Sequence, residues 1–203
     1  MAFIDGKWLA RPQRQGRIDL LAERARKLKA LHDKGKATES HIETLLADMA
    51  ELKKLKRVHR AEHDSLYFMH EYFSEEGNPG NPDNLIPAGI LIDQAADFHR
   101  TLCSLLDEIT TGKQRTNVAW SVGRGHAKTA YLSNGYLAHQ VVFRHKQYIV
   151  EVSETTEVAG DFISWTRNQL KYNDKLREDF GELLYVQKSR NDVDNNTEFV
   201  TTT

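Results

Sequence analysis

Residues 118–129 read Val-Ala-Trp-Ser-Val-Gly-Arg-Gly-His-Ala-Lys-Thr, with glycine, glycine, lysine and a hydroxyl in the order that a phosphate-binding loop uses. Backbone N–H groups of a loop that curls around an anion can cradle a nucleotide β-phosphate, and a following helix start adds its partial positive charge. In such a loop Lys128 reaches the β/γ oxygens and the Thr129 hydroxyl ligates Mg²⁺. The pattern G-x-x-x-x-G-K-[ST] would place glycine at Val122 and Ala127; here the glycines stand at Gly123 and Gly125. Alanine at 127 permits close approach to phosphate provided its φ is negative. The dinucleotide pattern G-x-G-x-x-G fails, because Lys128 occupies its third glycine.

Three other groups of residues invite chemistry. His59-Arg-Ala-Glu-His63 satisfies H-x-x-E-H, which on a helix puts both imidazoles on one face and could chelate zinc. No third ligand is identified, and a charged, solvated helix face is the expected reading. Cys103, the only cysteine, excludes an internal disulfide and reads as a buried apolar helix position. An ATPase also needs an acidic Mg²⁺ partner and a group that orients water, normally at the end of an apolar strand. No such strand end follows Ser153: Asp192-Val-Asp194 lies in a polar loop, and Glu198–Thr203 reads as a strand beginning.

The elements that must position the loop read as strand (Asn117–Val122), helix (Ala127–Gln140), strand (Gln147–Ser153) and amphipathic helix (Thr155–Lys175). That order predicts an α/β fold, a P-loop NTPase-type βαβα unit whose two strands pair in parallel. Ahead of it, Ile18, Leu21, Ala25, Leu28 and Leu31 mark one helix over 17–32. Ile42, Leu45, Met49, Leu52 and Leu55 mark a longer one over 41–73. Gly35 is the expected stop and Thr38 or Ser40 the next cap, so the pair forms an αα-hairpin. Ser74–Pro87 holds three of the four prolines, and Phe98, Leu102, Leu105, Leu106 and Ile109 give a further helix over 92–109. The expected organisation is a basic helical arm (1–76), a linker (77–91) and an ATPase portion (92–203).

The chain has 203 residues, 39% hydrophobic and 28% charged, as one to two globular domains require. No apolar run approaches the roughly 18–20 residues of a membrane span. The N-terminus lacks a signal-peptide core, so a cytoplasmic setting is expected. A net charge of −1 hides segregation: residues 11–60 carry fourteen Lys and Arg against seven Asp and Glu, and residues 61–111 carry one against ten. The basic segment either meets something acidic (nucleic acid, a partner, or the chain's own acidic stretch) or forms a pair of solvated helices.

Ser121-Val-Gly-Arg-Gly-His-Ala-Lys-Thr129 resembles the variant Walker A loop of large terminase subunits of tailed bacteriophages, the ATPase motors that package DNA. Phe98-His99 in the preceding helix, Tyr148-Ile-Val-Glu-Val-Ser153 and Asn173-Asp-Lys-Leu-Arg-Glu-Asp-Phe-Gly181 resemble further segments of that family. The resemblance covers about residues 66–203. It implies that Gly123, Arg124, Gly125, His126, Ala127, Lys128 and Thr129 surround ATP and Mg²⁺, with Thr129 on the metal. Arg124 and Lys128 are the implied catalytic cations, Arg124 as a γ-phosphate sensor or cis arginine finger. Phe98 and His99 would hold the adenine, or else be a packed ring beside a helix-surface imidazole. The implied partners are double-stranded DNA, the small terminase subunit, the portal protein and further copies in a ring, in the bacterial host cytoplasm without a membrane. The carboxylate that drives hydrolysis and the nuclease domain of that family are not found here, so slow or no turnover is expected. The alternatives are a fragment of a helicase- or recombinase-type ATPase, or a non-catalytic helical interaction module.

Overall fold

Two short strands, β1 (Ala2–Ile4) and β2 (Lys7–Leu9), pair antiparallel, and the chain then turns straight into helix. The computed structural model describes residues 2–4, 7–112 and 118–202. α1 (Arg11–Asp33) opens with Pro12 in its first turn, where a missing N–H leaves no bond unmade. It stops at Gly35, which takes a φ of +65°. The Thr38 hydroxyl then accepts from His41 N–H and starts α2 (Glu39–Ala61).

The two helices pack as an antiparallel hairpin. Ile18 and Leu21 of α1 are buried, with Leu28 and Leu31 half-buried. On α2 the inward face is turned part-way from the one its leucine spacing predicts: Leu45 and Leu52 are half-buried as expected, but Ile42 and Met49 of the same stripe turn out. Asp48, Leu55 and Val58 are buried, while Ile42, Leu46 and Met49 stand exposed. Ion pairs explain the rotation: Arg24 clasps Asp48, Arg17 Nε meets Glu51 at 2.8 Å, and Arg14 clasps Glu62. Keeping those arginines on α1 paired turns Met49 outward.

The long helix expected over 41–73 is two helices. Asp64 accepts from Tyr67 N–H at 2.8 Å, which caps a new helix, α3 (Ser65–Tyr72), and breaks the run after Ala61. α3 lies at the centre of the core, where the Phe68 ring meets Tyr72, Phe73, His139 and Phe143 at 5.0–5.8 Å. Around it pack α4 (Asp97–Thr110), a π-wound segment (Ala130–Tyr136) continuing into α5 (Leu137–Val142), α6 (Thr156–Tyr172) and α7 (Asp174–Phe180). Within 77–91, Asn78 Nδ2 donates to Asn173 Oδ1 at 2.8 Å, and Asn81 Nδ2 to Gln169 Oε1 at 2.9 Å.

The α/β expectation is overturned. Among the described residues the only ladder is the β1–β2 ribbon, and the expected strands at 117–122 and 147–153 form no parallel pair. Residue 117 lies outside the described residues; 118–120 and 148–153 run without a ladder partner. Alternation sets a local preference for extension, but a strand exists only where a neighbour takes its N–H and C=O groups. Here the aromatic cluster around Phe68 closes the core between helices without a sheet. Of Glu198–Thr203, expected to begin a strand, Phe199 forms an isolated antiparallel bridge with Asp194, Val200 N–H donates to Val193 O at 3.0 Å and Thr202 N–H to Leu183 O at 2.9 Å; Thr203 lies outside the described residues. Among the described residues no helix is long and apolar enough to cross a membrane.

Candidate phosphate-binding loop

The loop 121–127 leads into helix at Lys128, and two of its residues sit in the left-handed region: Gly125 (φ +82°) and Ala127 (φ +51°). The positive φ at Ala127 is the reverse of the condition set by its residue type, since a Cβ there crowds the backbone. The helix starts immediately, with Tyr131 N–H donating to Ala127 O at 3.1 Å. None of the backbone N–H groups of Gly123, Arg124, Gly125, His126 and Ala127 finds an acceptor among the described residues.

His126 fixes the loop from inside. Its Nδ1–H faces Gly123 O at 3.2 Å and Arg124 O at 3.1 Å, so those carbonyls turn inward to the imidazole. Glycine at 123 suits this closeness, because a Cβ would meet the His126 ring at 3.3 Å. From α4, His99 Nε2–H donates to His126 O at 3.0 Å, and Phe98 meets the His126 ring edge-on at 5.7 Å. The structure thus brings Phe98 and His99 against the loop. His99 stacks on Tyr131 at 4.1 Å with the rings 8° from parallel. Burial lowers the His99 pKa, against the opposing pull of the His126 carbonyl.

Tyr131 is the site residue that helical spacing misses. A regular helix puts Leu132 and Tyr136 on one side and turns Tyr131 away from them; in the wider π-turn over Ala130–Tyr136, Tyr131 is buried to 5% exposure. Burial pushes its hydroxyl up to about 12. The same segment presses on α3 at Gly135, where a Cβ would come within 2.8 Å of Met69 Sδ.

Arg124 and Thr129 are exposed and Lys128 is half-buried, and none of the three side chains has a polar partner among the described residues. Five unpaired N–H donors, two cations and a helix start on one short stretch suit a phosphate chain. Mg²⁺ keeps most of its waters and is held by one or two protein groups plus the phosphates, a role a single hydroxyl such as that of Thr129 can share.

Comparison with protein-family models, with curated proteins and with solved structures finds no match.

The other motifs resolve into packing. In Asn173–Gly181, the Asn173 Oδ1 caps α7 by accepting from Leu176 N–H at 3.0 Å, and Leu176 and Phe180 are buried. Asp179 accepts from Arg57 Nε at 2.6 Å and Tyr72 OH at 2.6 Å, and Gly181 takes a φ of +74°. Burial and the neighbouring Asp179 carboxylate raise the Tyr72 pKa well above its usual value. Asp194 is enclosed by Lys171 Nζ at 2.5 Å, Arg167 at 3.6 Å and Asn191, and Asp192 is exposed. His59 and His63 are half-buried rather than fully solvated. Glu62 between them is buried against Arg14 and lies 3.4 Å from His63 Nε2. Cys103 is buried in α4, and burial pushes its thiol up to about 12.

Proposed function

We propose that Gly123–Thr129 binds the phosphates of ATP, and that the chain is the nucleotide-binding portion of a DNA-packaging ATPase of the large-terminase type. The observation that carries this reading is the row of unpaired N–H groups from Gly123 to Ala127, closed by Lys128 at the head of a helix. The loop's residue order and its contact with Phe98 and His99 add support, both being features of the terminase resemblance.

In this reading the N–H groups and Lys128 neutralise the β/γ-phosphates. Arg124 spreads charge on the transferred phosphoryl group, and Thr129 takes one position on Mg²⁺. The imidazoles of His99 and His126 hold the loop open toward the phosphate rather than touching it. No residue of the chain is assigned to orient the attacking water, so binding without rapid turnover is expected of the chain alone. Double-stranded DNA, a small subunit, a portal and further copies of the chain are the partners of the whole motor, working in the host cytoplasm.

A second reading, a non-catalytic helical interaction module, is favoured by one observation. Ile42, Leu46 and Met49 lie exposed at helical spacing on α2. Hydrogen exchange with and without ADP·Mg²⁺ separates the two. Nucleotide binding predicts new protection confined to Gly123–Thr129 and the turn that follows. Unchanged exchange across that stretch at saturating nucleotide sinks the assignment and leaves the interaction module.

A further inference from the structure

Residues 148–153 form no helix, turn or ladder, and no backbone N–H or C=O from 146 to 154 is paired among the described residues. Their side chains alternate strictly. Tyr148, Val150 and Val152 stand 85%, 62% and 83% exposed, while Ile149, Glu151 and Ser153 are half-buried. Behind the segment, Ile149 and Glu151 face a cavity of about 360 Å³ with Leu137, Val141 and Ile163, and Lys146 and Tyr148 reach its edge. An alternating, β-branched segment with both backbone edges open is a template for another strand.

The charges on this segment select the occupant. The outward apolar row carries charge only at its two ends, Lys146 and Glu154, both exposed. Pairing with an identical segment in antiparallel sense about Val150 sets Val150 against Val150 and Tyr148 against Val152, the aromatic–β-branched pairing that strands favour. The same register sets Lys146 against Glu154, twice by symmetry. A parallel arrangement would oppose lysine to lysine and glutamate to glutamate. The segment is therefore complementary to itself in one orientation, as a closed two-fold interface requires.

We propose that residues 146–154 pair with the same segment of a second copy of this chain, forming an antiparallel two-fold strand dimer centred on Val150. The contact is small, so association is weak and concentration-dependent.

Sedimentation of the full chain from about 1 µM to about 1 mM, the range in which weak contacts assemble, reads the equilibrium directly. The expected result is a monomer at the dilute end moving toward twice the mass. Lys146→Glu opposes like charges at both ends and weakens association by about tenfold. Adding Glu154→Lys restores it, and Val150→Lys abolishes it. All three positions are exposed, so the helical circular dichroism should be unchanged in each variant. A wild-type monomer throughout overturns the proposal. So does association untouched by Val150→Lys, or a double charge swap that stays as weak as Lys146→Glu.

Discussion

Ala127 is the residue on which the loop's shape depends. Its φ of +51° follows Gly125 at +82° and immediately precedes helix. A left-handed alanine costs about 1–2 kcal/mol, and here it is tied down by the Tyr131 N–H on its carbonyl and by His126 anchored to His99. Ala127→Gly should therefore raise stability by up to about 1 kcal/mol, the gain being trimmed by the freedom glycine adds to the unfolded chain. A shift of the denaturation midpoint upward at unchanged slope is the expected reading; a downward shift would mean that the strain is not there. At this scale the sequence was partly legible. Glycine, lysine and threonine in order marked the loop, but the sign of φ at Ala127 was not readable. That sign is imposed by a bond 27 residues away in sequence, from His99 to His126. Tyr131 stayed hidden for a related reason: a π-turn changes which residues share a face, and no local residue type announces it.

At the scale of elements, α7 is held to α2 and α3 by one buried knot. Asp179 accepts from Arg57 on α2 and from Tyr72 on α3, and Asp179 is fully buried. Removing one member of a buried pair leaves the other uncompensated, so Asp179→Asn should cost about 3–5 kcal/mol. Tyr72→Phe, which removes one bond and keeps the ring, should cost about 1–3 kcal/mol. Urea denaturation of both variants checks the ranking, and equal losses would contradict it. The hairpin of α1 and α2 was legible because Gly35 and Thr38 punctuate it locally. The rotation of α2 was not, since it follows from arginine–carboxylate pairs across the hairpin that no single helix's periodicity contains. A preference for extension at 148–153 was also written locally, in alternating β-branched residues. The sheet expected from it required neighbours, and neighbours are a property of the whole chain.

Across the whole molecule, charge and histidine placement set the response to acid. His139 on α5 is buried among Phe68, Phe143 and His145, and its Nε2–H donates to Ala61 O at the end of α2. Burial first, then the nearby His145, lowers its pKa to about 3. Between that value and 6.5 the unfolded chain binds a proton that the fold refuses, so stability falls as pH drops through this window. Asp107 acts in the opposite sense. Burial raises it to about 6, so the fold takes up its proton first and gains stability as pH falls from about 6 toward 3.8. The histidine shift is the larger, and a melting temperature lower at pH 5 than at pH 7 is expected. His139→Gln should shrink that difference; an identical fall in the variant would place the acid sensitivity elsewhere. The charge segregation seen in the sequence is partly consumed internally, since Arg14 meets Glu62 and Arg60 meets Asp64 across the boundary near residue 61. Arg57 is taken by Asp179.

Phosphate binding at Gly123–Thr129 is the claim on which the functional reading rests, and Lys128 is its least replaceable charge. Calorimetric titration of the full chain with ADP·Mg²⁺, beside Lys128→Ala, tests it most directly. Saturable binding by the wild type that is lost or weakened at least tenfold in the variant is the expected result. Equal affinity in the two proteins, or no binding by the wild type, would contradict it.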